Sequence, residues 1–145
     1  PHVPSSESIP RRRSRARDLA IASALLFTAS LFVPAIRLAN IPFRESTPET
    51  YSGIQCLVYG WMVIFGWIAN PFLLIAVILF AARVPRAALV FGCLAACAAA
   101  TAPFAFVVWQ IDLLRLDVGY WLWLASIVAF SLAAWDARRS RTARA

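Results

Sequence analysis

Apolar residues fall in four long runs along this chain, and the polar intervals between them are short. The longest run, Cys56 to Ala82, reads CLVYGWMVIFGWIANPFLLIAVILFAA and contains no charged residue. As a helix it would reach about 40 Å, enough to cross a bilayer with tilt. The remaining runs predict helices over about 18–36, 87–109 and 119–135. The pattern predicts an all-α membrane protein, an antiparallel four-helix transmembrane bundle over residues 17–136. A disordered basic tail (1–16) precedes it and a second, frayed basic tail (137–145) follows it.

Prolines interrupt two of the predicted spans. Pro71 has no N–H, so the carbonyl of Trp67 four residues back loses its helical partner. In lipid that carbonyl needs another donor from within the protein. Asn70 adds an amide at the same depth. Pro103 frees the carbonyl of Ala99 in the same way, with Thr101 beside it to help satisfy the break. Trp67, Asn70, Pro71, Thr101 and Pro103 therefore form a candidate intramembrane polar and packing site. Small residues at four-residue spacing, Ala20, Ala24 and Thr28 in the first span and Gly92, Ala96 and Ala100 in the third, mark faces for close helix contact. The tight connection Arg83-Val84-Pro85-Arg86 makes the second and third spans antiparallel neighbours. Trp61, Trp109, Tyr120, Trp121, Trp123 and Trp135 read as interfacial anchors, whereas Trp67 is deep enough to pack between helices.

Composition narrows the class. With 61% hydrophobic and 14% charged residues and a mean hydropathy of +0.71, a soluble fold of 145 residues could not cover its apolar surface. The net charge of +7 would suggest nucleic acid in a soluble protein, but its distribution points elsewhere. Arg11, Arg12, Arg13, Arg15, Arg17, Arg83, Arg86, Arg138, Arg139, Arg141 and Arg144 fall on one side of the predicted bundle, against Arg37, Arg44 and Arg115 on the other. Both termini and the short middle connection are then cytoplasmic, with anionic lipids as partners of the cytoplasmic arginines and no role for nucleic acid.

Reactive chemistry is sparse. The spans hold no internal Asp, Glu, Lys, Arg or His, which argues against a proton-coupled transporter or voltage sensor. The single histidine is His2 in the tail, and Ser126, Ser131 and the three cysteines have no base beside them. Cys93 and Cys97 share a helix face at a spacing unsuited to a disulfide, and they read as small packing residues. Arg37, Arg44, Glu45, Glu49, Asp112, Arg115 and Asp117 form a candidate extracytoplasmic polar cluster. Its mixed signs favour salt-bridged loop packing over catalysis or Ca²⁺ binding. No catalytic residue, metal or cofactor is expected, and the chain does not read as an enzyme.

Three runs carry a resemblance: Gly53-Ile54-Gln55-Cys56-Leu57 leading to Gly60-Trp61, Trp67-Ile68-Ala69-Asn70-Pro71, and Gly119-Tyr120-Trp121-Leu122-Trp123-Leu124-Ala125-Ser126. Together they resemble a set of small, uncharacterised four-span bacterial inner-membrane proteins, best over the second and fourth spans. The resemblance implies a bacterial inner-membrane location and no particular activity. The leading expectation is a non-enzymatic accessory or scaffold subunit, partnered by other membrane subunits or by itself. The alternative is a small oligomeric transporter or channel whose path passes Asn70. A lipid-modifying enzyme using the outward carboxylates ranks third.

Overall fold

A computed structural model of the chain describes residues 9–38, 49–60, 64–108 and 113–142. The protein is mostly helical, with helices α1 (Ile9–Phe32), α2 (Gly53–Tyr59), α3 (Ile64–Trp67), α4 (Ala69–Ala81), α5 (Pro85–Val108) and α6 (Val118–Thr142). Three short strands, β1 (Pro34–Leu38), β2 (Glu49–Ser52) and β3 (Leu113–Leu116), correct the all-α expectation. They form one antiparallel sheet in the order β2-β1-β3.

The sheet follows from where the helices end. Pro34 stops α1 short of the expected residue 36 and opens β1, the strand position that tolerates a missing N–H. The two connections that emerge at this end then satisfy each other's backbone groups. Ala35 and Leu38 turn inward and are buried. The Asp117 amide donates to the Ala35 carbonyl at 2.9 Å and the Gly53 amide to the Val33 carbonyl at 3.1 Å, tying the sheet to the starts of α6 and α2. A Cβ on Gly53 would lie 2.0 Å from the Ser30 carbonyl oxygen, so only glycine lets the backbones approach this closely. Ser52 and Gln55 close a capping box at the start of α2, with the Ser52 amide donating to Gln55 Oε1 at 2.9 Å.

The second apolar run is not one kinked helix. The chain breaks well before Pro71: α2 ends at Gly60, α3 is a single turn, and α4 restarts at Ala69 after a turn at Ile68. Pro71 is thereby the third residue of a new helix, where the missing N–H would have had no intrahelical partner in any case. Trp67 seals the interruption, its indole N–H donating to the Leu57 carbonyl at 2.9 Å. Its ring folds back on α2 and stays partly exposed rather than packing between helices.

At the far end of α4 the chain turns through a Schellman motif. The Val84 amide reaches the Leu79 carbonyl at 2.9 Å, the Arg83 amide reaches Phe80 at 3.0 Å, and Arg83 takes a left-handed φ of 61°. Pro85 then occupies the first position of α5, where its fixed φ suits the helix start.

The helices pack α1 on α6, α6 on α5, α5 on α4, and α3 on α5. Their seams are rich in small residues, spaced alternately by four and three on α4 and α5 and by seven on α1. α5 buries Ala88, Gly92, Ala95, Ala99 and Ala102; α4 buries Ala69, Leu73 and Ala76; α1 buries Ala16, Ser23 and Ser30. This phase corrects the expected stripes. Ala20 is half-buried and Ala24 and Thr28 are exposed, and along the 92–96–100 row burial is lost progressively until Ala100 is exposed. Cys93 and Cys97 are exposed on α5, so they do not serve the internal seam expected of them. The ends of the bundle also differ from expectation: α1 begins within the basic segment at Ile9, and α6 stays helical through Thr142.

Large side chains point the other way. Ile21, Leu25, Leu74, Ile78, Val90, Leu94, Val128 and Leu132 are exposed on α1, α4, α5 and α6 around an alanine-rich interior. α5 over Pro85–Phe104 and α6 over Val118–Thr142 are long and apolar enough to cross a membrane, and α4 is a shorter apolar helix.

Candidate functional site

The polar contacts inside the bundle converge on α6. Tyr120, Trp123 and Ser126 lie three residues apart, and each joins α6 to a different neighbour. The Tyr120 hydroxyl donates to the Ala99 carbonyl on α5 at 2.9 Å. The Trp123 indole N–H donates to Asn70 Oδ1 on α4 at 3.0 Å. The Ser126 carbonyl accepts from Ser23 Oγ on α1 at 2.8 Å, a buried contact. Ser126 is fully buried, and its hydroxyl turns back to the Trp123 carbonyl at 2.6 Å.

Each contact has a reason in the backbone. Pro103 lies inside α5, so the Ala99 carbonyl has no donor at position 103, and Tyr120 supplies one from across the seam. Thr101 does not reach that carbonyl: its hydroxyl donates to Ala98 at 3.0 Å on its own helix. Asn70 sits in the first turn of α4, half-buried, with its amide oxygen held by Trp123. The tyrosine and two tryptophans at the start of α6 therefore divide differently from the expected interfacial belt. Tyr120 is buried at 7% exposure, Trp123 is half-buried, and Trp121 alone faces outward. Their rings stay together, Tyr120 lying 5.3 Å from Trp121 and 5.9 Å from Trp123 between centroids. Trp61 and Trp109, also expected as anchors, lie outside the described residues.

Of the intramembrane candidates, Asn70 and the carbonyl freed by Pro103 meet α6, whereas Trp67 serves the α2–α3 break and Pro71 serves a helix start. Sequence reasoning missed Tyr120, Trp123, Ser126 and Ser23 as members of this network. The available signal was a polar handle every third residue along an otherwise apolar α6.

The outer polar residues form a different arrangement. Arg44, Glu45 and Asp112 lie outside the described residues. The sheet sets Arg37 directly opposite Arg115 and pairs Leu38 with Glu49. Asp117 Oδ1 approaches Arg115 Nε at 3.2 Å, and Tyr51 donates to Glu49 Oε2 at 2.7 Å. Asp117 also sits just before α6, where its charge favours the positive end of the helix. Its other carboxylate oxygen is buried with no hydrogen-bond donor among the described residues.

The arrangement is suited to joining helices. Ser126 and Ser131 both spend their hydroxyls on carbonyls of their own helix, and no trio of His, Cys, Asp or Glu fit for a metal occurs among the described residues. Comparison of the chain with protein-family models, with curated proteins and with solved structures returns no match.

Proposed function

We propose that the chain is a four-span protein of the bacterial inner membrane that acts as a non-enzymatic accessory or scaffold subunit of a membrane complex. In this reading α1, the α2–α3–α4 series, α5 and α6 are the spans. The sheet lies outside, and the ends carrying Arg17, Arg83 and Arg141 lie in the cytoplasm. The observation that carries it is the row of large apolar side chains exposed on α1, α4, α5 and α6 around an interior in which alanines join Leu73, Ile127 and Phe130. A water-soluble bundle would expose an aggregating surface of this kind, whereas lipid or a partner helix covers it.

The hydrogen bonds between helices weigh against the transporter alternative. A solute path needs polar groups free to coordinate cargo. Here the Asn70 oxygen is taken by Trp123 and the Ala99 carbonyl by Tyr120. Affinity purification of the tagged chain in mild detergent, with quantitative mass spectrometry, tests the proposal. A stoichiometric membrane partner supports it. A chain that purifies alone and conducts solute in liposomes, with flux abolished by Asn70→Leu while the bundle stays folded, replaces it with the alternative.

A further inference from the structure

Resting on the membrane-spanning reading, we propose that Arg83, Arg86, Arg138, Arg139 and Arg141 form a binding surface for the phosphate headgroup of an anionic phospholipid. The surface is assembled by the fold. The Schellman turn carries Arg83 beyond α4, and Arg86 follows in the first turn of α5. The last turns of α6 reach the same place, because the Arg141 guanidinium donates to the Arg83 carbonyl. That contact brings the turn after α4 against the last turns of α6, so that five exposed cations lie at one end of the bundle.

No described carboxylate pairs with them. Among the described residues the ion pairs join Arg17 to Asp18 and Arg115 to Asp117, and none involves these five. Asp136 on α6 is the nearest acid in sequence to Arg138, and its buried Oδ2 has no donor among the described residues. The guanidinium carbons of Arg138 and Arg139 lie 5.8 and 5.3 Å from the Trp135 ring centroid. A cation–π contact of this kind engages a guanidinium without using up its N–H donors, which match phosphate. Trp135 itself is exposed, as are Val84, Ile78 and Leu132 on the adjoining helix surfaces. A ligand fitting this surface carries an anionic phosphate and an apolar tail, and that combination selects a phospholipid over a soluble anion.

The test uses the full chain in nanodiscs of phosphatidylcholine titrated with phosphatidylglycerol, with native mass spectrometry reading the lipids that stay bound. Phosphatidylglycerol should be retained in preference to phosphatidylcholine, and Arg139→Gln and Arg141→Gln should each weaken retention about fivefold. Arg115→Gln, at the opposite end, should change nothing, and circular dichroism should report equal helicity for all three variants. Equal retention of both lipids, an Arg115→Gln effect as large as that of Arg139→Gln, or displacement of the lipid by inorganic phosphate would overturn the proposal. Release of the chain from membranes by alkaline carbonate would instead overturn the membrane-spanning reading beneath it.

Discussion

Tyr120→Phe removes one oxygen and leaves the ring contacts with Trp121 and Trp123 in place, so its cost isolates the 2.9 Å hydrogen bond to Ala99. The bond covers a carbonyl that Pro103 deprives of its helical donor. Leaving a buried carbonyl bare costs about 1–3 kcal/mol in proteins generally. Interhelical hydrogen bonds in membrane proteins average about 0.6 kcal/mol and reach about 1.7. Between these scales, we expect Tyr120→Phe to destabilise by about 1–1.5 kcal/mol. In a Pro103→Ala background the introduced alanine would supply its own N–H to the Ala99 carbonyl, and the same tyrosine substitution should cost less than about 0.5 kcal/mol. The double-mutant cycle should therefore show a coupling of about 1 kcal/mol whatever the sign of the Pro103→Ala effect alone. Reversible unfolding in mixed detergent and dodecyl sulfate micelles, followed by far-ultraviolet circular dichroism, measures all four corners. Additivity within about 0.3–0.5 kcal/mol would falsify the assignment of Tyr120 as the donor that replaces the proline's missing N–H.

Three other substitutions probe the packing. Gly66→Ala would place a Cβ 2.7 Å from the Ala102 Cβ, so α3 must move off α5; the expected loss is about 1–3 kcal/mol, and an unchanged unfolding midpoint would refute the close contact. Arg83→Gly relieves a left-handed backbone that costs a side-chain-bearing residue about 1–2 kcal/mol, so the variant should be about 1 kcal/mol more stable after losing a favourable helix-end charge; a destabilised variant in the same unfolding assay would refute the strain. Replacing Cys93 and Cys97 together by alanine should shift stability by no more than about 0.5 kcal/mol, because both are exposed on α5; a larger loss in micelles would place them at a buried contact.

Much of the helical organisation is visible in the apolar runs, and the freed carbonyl of Ala99 is visible from Pro103 alone. The seams are harder to read. The stretch GCLAACAAATAP offers small residues at several phases, and four-residue spacing picks a row that drifts off the contact. The buried row steps by four and then three, which averages about 3.5 residues and holds one face of α5 toward its neighbours. The break in the second run escaped for another reason. Proline is the conspicuous helix breaker, yet Pro71 lies inside a new helix, and the interruption is held by a bond from Trp67 to Leu57 ten residues away. The strands are four or five residues long, and β1 pairs with a segment near residue 115, too short and too remote for local periodicity to register.

The central strand has a further consequence for the order in which this protein can be completed. β1 is made immediately after α1, but one of its two neighbours, β3, comes just before α6. α1 depends on the same late segment, since its main packing partner is α6 and the Ser23 hydroxyl meets the Ser126 carbonyl. α1 is thus made well before the segment that supplies its main contacts. Loop length adds little to the final equilibrium, because closure entropy grows only logarithmically. The burden falls on time: until β3 is made β1 keeps an unpaired edge, and until α6 follows it α1 keeps an unmatched serine. α6 acts as the closing element of the bundle, and a ribosome stalled before it would leave α1, rather than the helices made after α1, without its main partner.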